Sequence, residues 1–295
     1  LMAPLQFAGE RMWDYLNTRF VSEAQAAISV FDAGFLYGDG LFETLRAYNG
    51  KIFLLSEHLT RLQKGAKRLA IPIPDAALLE KRLIETLEKN HLRDAMLRLT
   101  ITRGNQNWGH VQKAWQGAPT LVIFARGNPG HEESVYQQGI TGQIVTIRRN
   151  PKTAQDPALK AISFLNNRMA KQEAASHGAD EAVLLNTDGY LAEGSVSNLF
   201  WICDGIVYTP AQSVGILAGV TRNLILKLAK KERLSVAEGF YEKTALLEAD
   251  EAFLTNTGFE VMPLTRVNQK KIGNGKPGPI TQKLYQAFLK KGGHL

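Results

Sequence analysis

K-A-I-S-F-L-N-N-R-M-A-K-Q-E-A-A-S-H-G-A-D-E-A-V-L-L-N-T-D-G-Y-L-A-E-G-S-V-S-N-L-F, residues 160–200, is the stretch on which the fold turns. Lys160 ends a polar, proline-marked loop (150–157) and is followed by a predicted helix over 164–177. Gly178 stops that helix, because glycine takes a left-handed C-cap at little steric cost. A strand over 181–186, an Asp188-Gly189 turn and a second strand ending at Glu193 come next. Asp-Gly between apolar runs favours a two-residue hairpin, since both turn positions need positive φ. One lysine and one glutamate thus stand at the ends of regular elements, with Ser195, Ser197 and Asn198 just beyond.

Working outward toward the N-terminus, a short strand is expected over 27–32. Residues 41–48 alternate, and Asn49-Gly50 turns the chain into 51–54 as a hairpin. Period two puts Phe42, Thr44 and Arg46 on one strand face and Leu41, Glu43 and Leu45 on the other. An arginine beside a phenylalanine there is either a pocket wall or an edge-strand surface. Ser56 is expected to cap a helix with the stripe Leu59, Leu62, Ala66 and Leu69, with Arg61 on its flank. Asp75 caps a second helix, and strands over 96–103 and 120–125 follow. Turn formers at 127–134 mark a linker between a domain at 1–126 and one at 135–295.

Toward the C-terminus, Asp204-Gly205 makes a second Asp-Gly hairpin, so an antiparallel α+β domain is expected there rather than a doubly wound sheet. Gly219-Val220-Thr221-Arg222 opens a helix whose free amides could take a phosphate, or which is simply capped by Thr221. A strand at 253–257 ends in Thr-Asn-Thr-Gly, and a helix over 281–289 closes the chain.

Composition (44% hydrophobic, 21% charged) is that of a globular protein, and no apolar run reaches membrane-spanning length, so a cytoplasmic location is expected. The single cysteine excludes an intramolecular disulfide and a cysteine-rich metal site. Net charge +7 raises nucleic-acid binding as a remote alternative. The basic residues are scattered, however, and suit a solvated surface that draws in small anions. Gly273-x-Gly275-x-x-Gly278 spells a dinucleotide fingerprint, but Pro277 and Pro279 stand where its helix would begin. The histidines are dispersed, and no metal site is expected.

A lysine amine can condense with an aldehyde, and a carboxylate can hold a proton on a ring nitrogen; together they suit a pyridoxal phosphate site. Beyond that pair, ordered blocks resemble the class IV pyridoxal-phosphate enzymes: branched-chain and D-amino-acid aminotransferases and the related aminodeoxychorismate lyase. The blocks are D-A-G-F-L-Y-G-D-G-L-F-E-T-L-R (32–46), E-H-L-T-R-L (57–62), Lys160 with F-L-N-N, D-G-Y-L-A-E-G-S-V-S-N-L-F (188–200), G-I-L-A-G-V-T-R (215–222), A-D-E-A-F-L-T-N-T (249–257), E-V-M-P (260–263) and I-G-N-G-K-P-G-P-I-T (272–281). The resemblance implies a small N-terminal α+β domain, a larger C-terminal pseudo-barrel domain and a homodimer with sites between domains. It implies pyridoxal 5′-phosphate as cofactor, Lys160 as the lysine bonded to it and Glu193 as partner of its ring nitrogen. Arg61, Val220, Thr221, Thr257 and Asn256 become phosphate ligands, Leu217 packs under the ring, and Phe164, Ser197 and Asn198 complete the cofactor side. Phe42, Thr44 and Arg46 become substrate residues.

The chain also departs from its relatives' patterns. Phe164 stands where branched-chain enzymes carry tyrosine, and Thr44 where they carry glycine. Trp108-Gly109-His110 replaces the Arg-x-His of D-amino-acid enzymes, which removes a bidentate carboxylate clamp unless Arg46, Arg98 or Arg103 substitutes. His110 remains a substrate candidate. The expected activity is transfer of an amino group from a branched-chain-like amino acid or related primary amine to a 2-oxo acid. F-E-T-L-R also resembles the lyase, which usually carries Asn near Ser163, so elimination from aminodeoxychorismate is the alternative.

Overall fold

A computed structural model describes residues 12–105 and 117–292. The chain divides into two compact units, Leu1–Asn128 and Pro129–Leu295.

In the first unit six strands form an antiparallel sheet in the order Arg19–Ser22, Trp13–Leu16, Thr120–Gly127, Ala95–Thr102, Gly40–Tyr48, Lys51–Ile52. Alternation sorts the side chains. Leu41, Leu45, Leu97, Leu99, Ile101 and Ile123 are fully buried on one face, with Leu59, Leu62, Leu79 and Leu83 of helices Leu55–Leu69 and Ala76–Lys89 in the same core. The register pairs Thr44 with Arg98 and Arg46 with Met96, so the opposite face carries Phe42, Thr44, Arg46 and Arg98. Asn49 and Gly50 both have positive φ, as an Asn-Gly hairpin turn requires. Asp75 caps its helix by accepting from the Leu78 N–H at 2.8 Å.

Two local readings are corrected. The first of these helices begins at Leu55 behind a left-handed Leu54, so Ser56 lies inside its first turn rather than at the cap. The hairpin return feeds the helix directly, which leaves no extended residue for a side-chain cap. Residues 27–31 form no strand. Asp32 is fully buried and accepts from the Gly34 N–H (2.7 Å) and the Thr102 hydroxyl (2.9 Å), which starts the short helix Ala33–Tyr37 instead.

The second unit holds a nine-stranded mixed sheet, whose main path runs Val236–Gly239, Ile206–Pro210, Asn198–Cys203, Glu251–Asn256, Glu260–Val267, Ile140–Arg148, Glu181–Leu185, Leu191–Gly194. Both Asp-Gly hairpins form, but only Asp204 and Gly205 are both left-handed (φ +50° and +73°); at the first, Gly189 has φ +90° without a left-handed Asp188, and its N–H donates to the Asn186 carbonyl. The expectation of an antiparallel sheet needs amendment. Ile140–Arg148 runs parallel to both of its neighbours, and Ile206–Pro210 parallel to Val236–Gly239. Helices Leu165–Ser176 and Val220–Lys231 make the crossovers that parallel pairing demands. The terminal strand Leu191–Gly194 also packs against Asn198–Cys203 and Ile206–Pro210, which curls the sheet into a barrel-like α+β form. Its core gathers Val183, Leu191, Leu199, Leu254, Leu264 and Val267 with Trp201, which stacks on Tyr208 with ring centres 5.9 Å apart. Among the described residues no helix is long and apolar enough to cross a membrane.

Candidate active site

Glu193 lies in strand Leu191–Gly194, in which every residue is buried, and it is 4% exposed itself. A buried carboxylate must be hydrogen-bonded and charge-compensated. Its Oε1 accepts from Arg149 Nε at 2.7 Å. Its Oε2 accepts from Asn198 Nδ2 at 3.1 Å and from the Leu217 N–H at 3.0 Å. Asn198 Nδ2 also donates to the Leu217 carbonyl at 3.0 Å. A Cβ on Gly219 would lie 1.9 Å from Asn198 Oδ1, so only glycine fits at that point. The carboxylate is therefore tied to the segment that opens helix Val220–Lys231.

The turn after Glu193 is clamped from below. The Gly194 N–H donates to the Ser197 carbonyl at 2.7 Å. Buried Glu181 accepts from the Ser195 hydroxyl, from the Ser195 N–H at 3.2 Å and from the Ser197 hydroxyl at 3.3 Å. Asn167 Nδ2 donates to the Ser195 carbonyl at 2.7 Å. The Ser197 hydroxyl is thus turned toward Glu181, while Asn198 serves Glu193.

Gly219 is the N-cap of helix Val220–Lys231, and no side chain caps it. Thr221 is buried, but it does not close the helix end as a cap would. The first-turn N–H groups of a helix lack intrahelical acceptors and carry the positive end of its dipole, a ready seat for an anion. Arg222 is fully buried in that turn and donates to the Pro210 carbonyl at 2.8 Å and to Glu238 Oε2 at 2.5 Å. Thr257 follows strand Glu251–Asn256. Asn256 spends its side chain on bracing: Oδ1 accepts from the Gly258 and Phe259 N–H groups (2.7 and 2.8 Å), and Nδ2 donates to the Val196 carbonyl (3.2 Å).

Lys160 is half-buried at the end of a loop that Gln155 ties by donating to the Ser163 hydroxyl at 2.8 Å. Phe164, also half-buried, precedes helix Leu165–Ser176. Leu217 is half-buried, with its backbone N–H committed to Glu193.

In the first unit Arg61 is no free flank residue. Its Nε and Nη2 grip Glu43 Oε1 and Oε2 at 2.7 and 2.5 Å, and His58 Nδ1 meets Oε2 at 2.7 Å. Burial alone would raise the Glu43 carboxyl, but Arg61 and His58 outweigh it and hold the group at about 2. Arg46 is 4% exposed, and its Nε and Nη1 have no hydrogen-bond partner among the described residues. Its guanidinium carbon lies 5.1 Å from the Tyr48 ring centre. Arg98 lies over the Phe42 ring at 3.5 Å, donates to the Thr100 hydroxyl at 3.2 Å, and is pushed down to about 10 by burial against the opposing pull of Glu43. Thr44 sits half-buried across from it. Arg103 donates to Asp39 (2.5 Å) and to the Leu69 and Ala70 carbonyls at a helix end. His110, with Trp108 and Gly109, lies outside the described residues.

Sequence reasoning missed Arg149, Glu181, Asn167, Glu43 and His58 as members of these networks. Only His58 carried a local signal, since it shares a helix face with Arg61 at i, i+3.

With this geometry in view, likeness to known proteins becomes informative. The family described as Amino-transferase class IV matches residues 40–267. A putative branched-chain-amino-acid aminotransferase of Methanocaldococcus jannaschii is 41% identical over 278 residues, covering 93% of this chain and 94% of that protein. An aminodeoxychorismate lyase of Bacillus subtilis is 38% identical, covering 94% of each. A T.th. branched-chain amino acid aminotransferase, solved with pyridoxamine 5′-phosphate, superposes with a TM-score of 0.91 at 31% identity, covering 97% of this chain and 96% of that one. The chain belongs to the class IV aminotransferases.

Proposed function

We propose that this class IV aminotransferase uses pyridoxal 5′-phosphate to move an amino group from a branched-chain-like amino acid, or a related primary amine, to a 2-oxo acid. The residues present fit that cofactor. Glu193 offers one more acceptor position on Oε1, the oxygen that receives a single donor, and so suits a protonated ring nitrogen. The uncapped helix start at Val220 and Thr221 suits a phosphate, as does the hydroxyl of Thr257. The carboxylate cage around Glu193 is the observation that carries the reading.

When bound, pyridoxal phosphate supplies an electron sink for a carbanion at the substrate Cα. The protein's own tasks are then distinct. Lys160 would hold the cofactor through its ε-amine and would be the base that moves the proton at the substrate Cα. Glu193 keeps the ring nitrogen protonated. Leu217, Phe164, Ser197 and Asn198 would complete the cofactor side. Arg61 is the proposed phosphate arginine, with Asn256 acting through the turn it braces. Phe42, Thr44, Arg46 and Arg98 form the proposed substrate face, where Arg46 Nε and Nη1, without a hydrogen-bond partner among the described residues, suit a carboxylate. A cytoplasmic homodimer completes the proposal, and the exposed apolar run Ile28, Val30, Phe31, Phe35 and Tyr37 supports it as a surface for a second copy.

The test is a substrate panel: L-leucine, D-alanine and primary amines with 2-oxoglutarate or pyruvate, and aminodeoxychorismate alone. Keto-acid formation from L-leucine is expected. Pyruvate and p-aminobenzoate from aminodeoxychorismate, without transamination of the rest, would favour the lyase reading, which the Bacillus subtilis relative keeps in view. Reduction with borohydride should fix pyridoxal phosphate onto Lys160, and label recovered on Lys152 or Lys171 instead would refute that assignment.

A further inference from the structure

Arg149 is a side chain of this site that neither the motifs nor the mechanism above has used. It follows strand Ile140–Arg148, is 8% exposed, and is anchored by its own backbone N–H, which donates to the Leu185 carbonyl at 2.9 Å. Its Nε reaches Glu193 Oε1 at 2.7 Å across 44 positions of sequence. The carboxylate's other donors, Asn198 and the Leu217 N–H, are neutral. Arg149 therefore brings a positive charge directly onto Glu193.

We propose that Arg149 is the positioning residue of the Glu193 carboxylate: it keeps that buried group anionic and turned so that one acceptor position on Oε1 faces a ring N–H. This rests on the proposed pyridoxal phosphate reading. The physical reason is charge balance. A buried carboxylate that loses its partner is costly and is neutralised by a proton. A neutral carboxylic acid in that place donates where it should accept, and the ring nitrogen then loses its proton-holding partner. Loss of Arg149 should consequently reproduce loss of the Glu193 charge, although Arg149 itself touches no reacting atom.

The experiment compares wild type, Arg149→Met, Arg149→Lys, Arg149→Gln, Glu193→Gln and the double variant Arg149→Met with Glu193→Gln, each reconstituted with pyridoxal 5′-phosphate. Three quantities are read: the absorption spectrum of the bound cofactor, its retention on dialysis, and kcat. Arg149→Met is expected to take on the spectrum of Glu193→Gln and to lose about 10²-fold in kcat, the scale of one preorganised electrostatic partner. Groups acting as a unit are non-additive, so the double variant should stay within about threefold of Glu193→Gln. Arg149→Lys, which keeps a positive charge, should recover part of the loss. A wild-type spectrum in Arg149→Met, or losses that multiply in the double variant, would overturn the role. Circular dichroism of the cofactor-free proteins checks folding. If Arg149→Met fails to fold, the Gln and Lys variants decide: Gln keeps a donor without charge and must follow Glu193→Gln, and Lys must lie between Gln and wild type. A wild-type protein that takes up no pyridoxal phosphate would sink both this role and the function it rests on. A cofactor-binding wild type with an indifferent Arg149 sinks the role alone.

Discussion

Each unit buries one glutamate against an arginine, and the two grips differ. Glu43 is fully buried and is taken fork-on-fork by Arg61, with His58 on the second oxygen. Glu193 is 4% exposed and is touched by Arg149 through Nε alone, while neutral donors fill its other oxygen. The first arrangement spends charge on both oxygens and makes the carboxylate a fixed counter-ion, holding Arg61 rigid. The second compensates charge from one side and leaves an oxygen addressable. A buried carboxylate in a strand can thus serve architecture or chemistry, and its donors decide which.

The sharpest break between the two comes from function. Glu193→Gln should cut kcat by roughly 10²- to 10³-fold, while the cofactor is retained and less stability is lost than at Glu43, since Arg149 is held through one bond rather than a fork. An unaffected rate would end the ring-nitrogen role. Glu43→Gln should do the reverse in kind. It strands Arg61 without its bidentate partner, so roughly 3–5 kcal/mol of stability is expected to go, read from the urea midpoint. Equal destabilisation by both glutamine variants would erase the distinction.

Acid should separate them next. The Glu43 carboxyl sits at about 2 in the fold against 4.5 for an ordinary glutamate, because Arg61 and His58 overcome its burial. A group depressed on folding stabilises above its unfolded value and loses that contribution as pH falls through the folded one. The gap corresponds to roughly 3 kcal/mol, present above pH about 4.5 and gone below about 2. In Glu43→Gln the unfolding free energy should lose that part of its slope between these limits; an unchanged slope would refute the pairing. The smallest effect is expected at Asn198→Ala, which removes one neutral donor from Glu193 and should cost about 1 kcal/mol with a modest fall in kcat. A loss as large as that of Glu193→Gln would mean that Asn198, rather than the charge of Arg149, governs the carboxylate.

The opposite faces of strand Gly40–Tyr48 show how far reading the chain could go. Period two sorts Phe42, Thr44 and Arg46 from Leu41, Glu43 and Leu45 without coordinates, and the register agrees. Which face the helices would cover depends on packing, so Glu43 could not be seen as Arg61's partner. The Asp-Gly and Asn-Gly turns and the Asp75 cap were legible because each is settled within a few residues by φ preference or a short hydrogen bond. Ser56 and residues 27–32 misled for the converse reason: contacts with Arg46 and Thr102 from other strands reset the local outcome.

Sequence alone determined the family, the hairpins and the positions of Lys160 and Glu193, because motif residues and turn chemistry are local in the chain. Tertiary structure alone decided the parallel crossovers, the commitment of Arg103 to Asp39, the clamp of Glu181 under the Ser195–Ser197 turn, and the pairing of Arg149 with Glu193. The reason is distance along the chain. A buried charge takes its partner from whichever strand the sheet brings alongside, and no periodicity in either segment encodes that neighbour.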